Sequence, residues 1–415
     1  METVVIIGGG ALGMMAALTA AESGRRVILL ERQQRVGRKL LATGNGRCNL
    51  TNIGASAENY HGENESFAAD VLAQFRPQDT LDFFHALGLV TVTEYGGRVY
   101  PLSNSANSVV DVLRFALERK GVELRTACPA REIIRNSGTG YTVRTDSGDI
   151  NADYLILACG GAAGAKLGGV TDGYDLLKPL GHKRTKLLPA LVQLITDAEY
   201  PRALKGVRAD AKIMLYSGGE LLKESAGELQ FTENGVSGPA AFDISRTVSV
   251  TGGDALTLKI DFLREYNDDD VRIMLSQRAK DLPELPCGEL FTGMLHNRLG
   301  RMLVKYAGID AAATLKTLNN EKLDAALKAC KAFRLKVKGT EGFDNAQITA
   351  GGIRTTGVDP HTLQSWFMPG LFICGELLDV DGDCGGYNLQ WAWSSGTVAG
   401  RQAALRCKVR NKDAK

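Results

Sequence analysis

The sequence predicts an α/β fold in which one parallel sheet is assembled from two distant stretches of chain, with a second domain between them. Three observations predict it. A β-branched run at residues 4–7 leads straight into a glycine-rich turn and a small-residue helical stretch, and a second apolar strand follows at residues 27–30. Near the other end, "LFIC" (371–374) again reads as a buried strand entering a glycine-rich turn and a helix. Between these, the pattern changes to period-two alternation and then to helix-period apolar faces.

At 415 residues the chain has room for two or three domains and a substantial core. With a net charge of +2, nothing global points to nucleic acid or to an anionic membrane. The eight cysteines are scattered without a CxxC and the five histidines are isolated, so spacing offers no zinc site. Scattered cysteines in so long a chain imply reduced thiols and a cytoplasmic home. "ALGMMAALTAA" (11–21) is too short to span a bilayer, and it follows a strand, not a basic leader. The basic tail "RCKVRNKDAK" (406–415) reads as a solvated end.

The first strand and helix enclose Gly8-x-Gly10-x-x-Gly13. Gly8 permits the tight strand-to-helix turn, Gly10 lets backbone approach a pyrophosphate, and Gly13 allows the helix to pack closely on the sheet. Ala11 lies in this turn as a further cofactor contact, and the unpaired N–H groups and partial positive charge at the start of the following helix suit phosphates. Glu31, 18 residues past Gly13 at the end of the second strand, is placed to accept hydrogen bonds from a ribose, with Arg32 beside it. The unit is Rossmann-like and predicts a dinucleotide site.

FAD and NAD present the same ADP half, so this unit alone does not choose between them. The distant segment "PGLFICGELLDVDGDCGGYNLQWAWSSGTVAG" (369–400) does. Its Gly375–Glu376 turn and its acidic, glycine-rich loop, carrying Asp381 and Gly386, lead to a helix expected from Tyr387, with Asn388 and Leu389 in the first turn. Two-segment FAD folds close over the ribityl chain in this way. Glu376 can accept from a ribityl hydroxyl, and the helix dipole can stabilise negative charge on the reduced ring. A third strand, "ADYLILACGGAAG" (152–164), ends in Ala158, Cys159, Gly160 and Gly161, where the chain would pass the cofactor again. Cys159 reads as a small buried residue. No His or Cys is marked for attachment, so FAD is expected without a covalent link. "CGGAAGAKLGG" lacks the spacing of a second nucleotide motif, so NAD(P)H, as the expected electron donor, would dock only transiently.

Five further segments carry a family resemblance: "GRKLLATGNGRCNLTN" (37–52), "GRVYPLSNSANSVVDVL" (97–113), "FTENGVSGPA" (231–240), "ITAGGI" (348–353) and "GELLDVDGDCGGYNLQWAWSSG" (375–396). With them, the chain resembles the BaiN-like NAD(P)/FAD-dependent oxidoreductases over nearly its whole length. The resemblance implies that the loop after Glu31 runs along the pyrophosphate, with Gly37, Arg38 and Lys39 on the phosphate side. Residues from Thr43 and Gly44 to Cys48 and Asn49 would then pass the flavin ring. On that reading the Asn45 and Asn49 amides reach N5 and O4, while Arg47 either stabilises reduced flavin or binds substrate. Few carboxylates stand near these cations in the sequence. Cys48 is expected to be packed and unreactive. Many relatives carry His where this chain has Glu233, which puts a catalytic duty there in doubt. The implied activity is reduction of an activated double bond, as in unsaturated oxo-steroids of the bile-acid type.

Within "GGRVYP" (96–101), Tyr100 is a candidate proton donor and Arg98 a candidate to polarise a carbonyl or hold a carboxylate. The other reading makes Tyr100 a core aromatic and Arg98 a surface or phosphate contact. The FAD domain is expected over residues 1–190 and 341–415, with an inserted substrate domain at 191–340. Its β part, at 191–265, should form a small barrel or open sheet. Its helical part, at 266–333, should hold helices over 268–282, 288–306 and 320–333. A small-molecule substrate is the expected partner. Two other functions stay open: a flavin-dependent tRNA-modifying enzyme, which would want a basic face, and a non-catalytic flavin redox sensor or electron carrier.

Overall fold

The computed structural model describes residues 2–252 and 255–410. The chain divides into two units, one of residues 1–188 and 347–415, the other of residues 189–346.

The first unit is built on a five-stranded sheet in the order Leu371–Ile373, Tyr154–Leu157, Thr3–Ile7, Arg26–Leu30, Glu123–Arg125, with every neighbour parallel. All five residues of Thr3–Ile7 and all four of Tyr154–Leu157 are buried, as strands covered on both faces must be. The helix Ala11–Ala21 is buried along nearly its whole length, so its apolar residues surround it without a polar face. The helix Tyr387–Arg410 packs against it through small residues. A Cβ at Gly396 would lie 2.7 Å from the Leu12 carbonyl oxygen, and one at Gly400 would lie 2.5 Å from that of Ala16. The far end of the chain thus completes both the sheet and the helix layer begun by the first thirty residues. Two smaller ladders carry loops used below: Thr51–Asn52 with Arg98–Pro101 and Thr91–Thr93, and Tyr60–His61 with Asp381–Gly382.

The second unit contains a closed six-stranded barrel. Strand Arg208–Ser217 turns Ala211, Ile213 and Leu215 inward, the alternation its sequence predicts. It pairs along its length with one long strand, Glu220–Phe231. Inside the barrel sequence lies a helix not anticipated from its residues, Pro239–Thr251. Its Thr, Val and Ser content suits a strand, but Ala240, Ala241, Ile244 and Val248 bury one helical face, and tertiary packing prevails over propensity. The expected helix over 288–306 is shorter. It begins at Asn297, because Gly293 turns the chain with φ +84° and His296 Nδ1 caps the new helix by accepting from the Arg298 N–H. The helix expected over 320–333 ends at Lys331, and buried Phe333 starts the next barrel strand.

Among the described residues no helix is long and apolar enough to cross a membrane. Of the basic tail, the helix backbone reaches Arg410, and residues 411–415 lie outside the described residues.

Candidate active site

In the first glycine turn, two glycines are demanded by neighbouring backbone. Gly8 has φ +113°, and a Cβ there would lie 2.3 Å from the Ala158 carbonyl oxygen. A Cβ at Gly13 would sit 1.8 Å from the Gly8 carbonyl oxygen. Gly10 differs, since nothing lies within 4 Å of where its Cβ would be. The helix starting at Ala11 has no side-chain cap and no acid in its first turn, so its N–H groups face that space uncompensated. Glu31 is buried at the end of its strand, its two oxygens accepting from the Gly9 and Gln33 N–H groups, each at 2.7 Å. A carboxylate has about four acceptor sites, so both oxygens keep capacity for a further donor. Arg32 pairs with Asp172 at 3.1 Å, yet its Nε is buried without a partner.

The loop after Glu31 is tied back to this turn by the Gly37 N–H, which donates to the Gly9 carbonyl at 2.9 Å. Arg38 donates to the Gln33 side chain at 3.0 Å. Lys39 Nζ donates to Glu376 Oε2 at 2.8 Å, and the Thr349 N–H donates to Glu376 Oε1 at 2.9 Å. Gly161 is pressed against the same carboxylate, for its Cβ would stand 2.6 Å from Glu376 Oε1. Gly160 (φ +74°) faces open space. The loop cations therefore do have carboxylates, but from positions remote in sequence. Lys39 has Glu376, and Arg47 has Glu94 at 2.5 Å.

Residues 43–48 form a tight turn. Thr43 Oγ1 donates to the Leu40 carbonyl at 2.7 Å, and Gly44, Asn45, Gly46 and Cys48 all take positive φ. Asn45 is exposed. Cys48 is fully buried, and burial pushes its thiol up to about 12, so it is inert at neutral pH. Asn49 is the informative residue: its side-chain oxygen is buried and has no hydrogen-bond partner.

The second glycine turn stands beside Asn49. A Cβ at Gly386 would lie 3.0 Å from Asn49 Oδ1 and 2.5 Å from the Thr51 carbonyl oxygen. The Asn52 side chain donates to the Gly385 carbonyl at 3.1 Å. A Cβ at Gly385 would be 3.4 Å from Arg98 Nε, so Arg98 flanks this turn, and its side chain makes no hydrogen bond or ion pair among the described residues. Tyr100 lies on the same strand, 8 % exposed, with the Arg47 guanidinium 4.0 Å above its ring. Burial raises the Tyr100 hydroxyl above the usual tyrosine range. Arg98 and Arg47 pull it back, and Glu94 and Cys384 push it further up. Of the two residues the sequence offers as a catalytic pair, Arg98 thus lies beside Gly385 and Tyr100 beside Gly44 and Arg47 of the 43–49 turn, while Asn49 at the end of that turn meets Gly386.

The other residues chosen from the C-terminal segment hold that turn in shape. Asn388 exchanges hydrogen bonds with both backbone groups of Gly382, each at 2.8 Å. The Tyr387 carbonyl accepts from the Tyr60 hydroxyl at 2.9 Å, Leu389 packs on the core, and Asp381 is buried in the ladder with His61. A Cβ at Gly375 would meet Leu12 Cδ1 at 2.2 Å, which brings its turn to the first helix. Half-buried Cys159 reaches the Ile7 carbonyl at 3.6 Å, and burial pushes its thiol up to about 12. Glu233, in the other unit, is exposed and paired with Lys205 at 2.8 Å.

Sequence reasoning missed two features of this region. His61 and Asp383 pair at 2.8 Å. Fully buried Gln390 accepts from the hydroxyls of Thr51 at 2.5 Å and Thr80 at 2.9 Å, while Trp393 Nε1 donates to the Leu50 carbonyl at 2.8 Å. These bonds staple the C-terminal helix to the strand that carries the site. The only signal for them was polar residues inside an otherwise apolar helix.

Residues 2–402 match the family described as "HI0933-like protein Rossmann domain". Over 410 residues the chain is 42% identical to the 3-dehydro-bile acid delta(4,6)-reductase of Clostridium scindens, covering 98% of this chain and 100% of that one. It is 29% identical to the ribosomal RNA dihydrouridine synthase of Escherichia coli, covering 94% and 95% of the two. Among solved structures it is similar to the 3-ketosteroid delta1-dehydrogenase of Sterolibacterium denitrificans, with a TM-score of 0.50, 13% identity and coverage of 98% and 100%, a likeness of fold alone. Taken with the glycine turn and the two-segment parallel sheet, the match places this chain in the HI0933-like family.

Proposed function

We propose that this chain is an FAD-dependent oxidoreductase that adds hydride and proton across a carbon–carbon double bond conjugated to a carbonyl. The observation that carries the reading is Arg98 beside the glycine turn at 385–386, with Tyr100 on the same strand against the 43–49 turn. The residues present fit FAD. Gly10 leaves open space at an uncapped helix start, which suits a pyrophosphate, and Glu31 keeps acceptor capacity for a ribose. The unpartnered Arg32 Nε and Asn49 Oδ1 supply a donor and an acceptor at opposite ends of the site.

When bound and reduced, the flavin supplies a hydride. The chain's own residues do the rest. Tyr100 holds a proton for the second carbon, and the phenolate it leaves is reprotonated from water. Arg98, without a protein partner, is free to polarise the substrate carbonyl, so that charge developing on oxygen meets a guanidinium. We take the substrate to be a small hydrophobic oxo compound, by analogy with the bile-acid reductase. Seven free thiols among the described cysteines support a cytoplasmic setting. NAD(P)H is the electron donor in this reading, docking and leaving before substrate enters, so double-reciprocal plots at several substrate concentrations should be parallel. Intersecting plots would rule out that order.

A second reading has a specific ground in the relative named a ribosomal RNA dihydrouridine synthase. Dihydrouridine is uridine with its carbonyl-conjugated double bond reduced, so the same donor and acceptor would serve. A net charge of +2 gives such an enzyme little general attraction to RNA. Stopped-flow mixing of the photoreduced protein with a cyclic enone, and separately with unmodified ribosomal RNA, decides between them. Rapid reoxidation by the enone supports the first reading, and reoxidation only by RNA supports the second. An acid-precipitated protein that keeps its yellow colour in the pellet would refute non-covalent FAD.

A further inference from the structure

We infer that Arg47 is a positioning residue for Tyr100, its guanidinium lying over the phenol ring so as to stabilise the phenolate formed when Tyr100 gives up its proton. The inference rests on Tyr100 being the proton donor. The geometry is specific. The Arg47 Cζ stands 4.0 Å from the ring centroid. Its Nε donates to Asn104 Oδ1 at 2.8 Å, and its terminal nitrogens reach the two Glu94 oxygens at 2.5 and 3.4 Å. The edge of the guanidinium is thus held by protein while its face is given to Tyr100. The backbone is shaped for this arrangement. A Cβ at Gly44 would come 3.3 Å from Tyr100 Cε1, so the 43–48 turn closes on the ring through a glycine, and Asn104 takes φ +53° to present its amide.

A cation over a neutral phenol gains modestly from the ring's quadrupole, but over a phenolate it meets a full opposite charge. Such a charge within about 4–6 Å lowers a pKa by roughly 1–3 units. The charged and titratable groups facing the phenol are Arg98 and Arg47, which favour the phenolate, and Glu94 and Cys384, which oppose it. Glu94 offsets part of the Arg47 charge, so the lower end of that range is expected. The step balances as follows. The Tyr100 O–H bond breaks with its electron pair left on oxygen, a C–H bond forms on the substrate, and the hydride on the neighbouring carbon comes from a reduced flavin. Arg47 exchanges no proton.

The test is the ionisation of Tyr100 itself, followed by carbon NMR of protein labelled at tyrosine Cζ, with bound flavin left in place and the resonance assigned by Tyr100→Phe. Arg47→Met should move the Tyr100 midpoint up by about one pH unit, and Arg47→Lys should restore part of it. An unchanged midpoint in a folded Arg47→Met protein overturns the inference. Should Arg47→Met fail to fold, Asn104→Gly keeps the left-handed backbone while removing the amide that holds Nε. A smaller upward shift there supports the inference and an unmoved midpoint overturns it. A shifted midpoint together with a Tyr100→Phe enzyme of unchanged reduction rate overturns the proton-donor reading, while the coupling between Arg47 and Tyr100 stands.

Discussion

The two glycine turns, at residues 8–13 and 382–386, use the same residue for different ends within each turn. Gly8 and Gly13 are pressed against backbone oxygens of the Ala158 and Gly8 carbonyls, and Gly386 is pressed against that of Thr51. Gly10 has empty space above it, and Gly385 faces Arg98 and Tyr387 side chains. In each turn, then, the crowded glycines hold the fold together, and one glycine is left toward the site. The difference teaches that a glycine motif mixes packing and binding requirements, and that substitution separates them.

The largest expected effect lies at the crowded positions. Gly8→Ala forces a side chain to φ +113° and to 2.3 Å from a carbonyl oxygen, so we expect a loss of about 3 kcal/mol or more of folding stability, read as a lower denaturant midpoint. Gly386→Ala, at φ +103° and 2.5 Å, should lose about 2 kcal/mol, because its clash with the Thr51 carbonyl oxygen is slightly the longer of the two. An unchanged midpoint in either variant would break the packing half of the comparison.

Gly10→Val should behave oppositely. With nothing within 4 Å of its Cβ, the folding midpoint of the apoprotein should fall by no more than about 1 kcal/mol, the usual worth of a favourable residue at a helix N-cap, while FAD binding falls because a branched side chain occupies the phosphate's approach. Glu31→Ala should weaken FAD by about 1.5–3 kcal/mol, the usual worth of hydrogen bonds to a charged group, and Gly10→Val should exceed it. Titration of the apoproteins with FAD, followed by flavin fluorescence, measures both. Full FAD occupancy in purified Gly10→Val would sink the dinucleotide reading.

What was legible in the sequence follows from how far apart the contacting residues are. The first turn is local: strand, glycines, helix and Glu31 lie within thirty-one residues, and period and spacing suffice to read them. Few carboxylates stand near the loop cations in the sequence because Glu94 and Glu376 are 47 and 337 positions away from Arg47 and Lys39. Closure of the barrel was likewise open, because it depends on Leu194–Thr196, a three-residue strand, pairing with Phe333–Thr340 across more than a hundred residues. A strand so short carries almost no periodicity of its own. Arg98 and Tyr100 are candidates from the segment "GGRVYP", but their neighbours, Gly385 beside Arg98 and Arg47 over Tyr100, come only with the fold.

The smallest expected effect tests a tie between the loop after Glu31 and the Gly375–Leu377 turn, the Lys39–Glu376 ion pair. It spans 2.8 Å with side chains 31% and 21% exposed, intermediate between surface and core. Exposed pairs contribute about 0.2–1 kcal/mol, and the Thr349 N–H would still serve Glu376 after Lys39→Met, so no carboxylate oxygen pair is left wholly unsatisfied. We therefore expect Lys39→Met to lower stability by about 0.5–1 kcal/mol and to change the midpoint less as salt is raised, because screening weakens the pair in the parent. A double-mutant cycle with Glu376→Gln should give a coupling of the same size. A coupling above about 2 kcal/mol, insensitive to salt, would mean that the pair is desolvated. The turn at Gly375 would then be bound to the first loop as tightly as Gly8 is to Ala158, and the division between packing and binding glycines would extend to the charged residues around them.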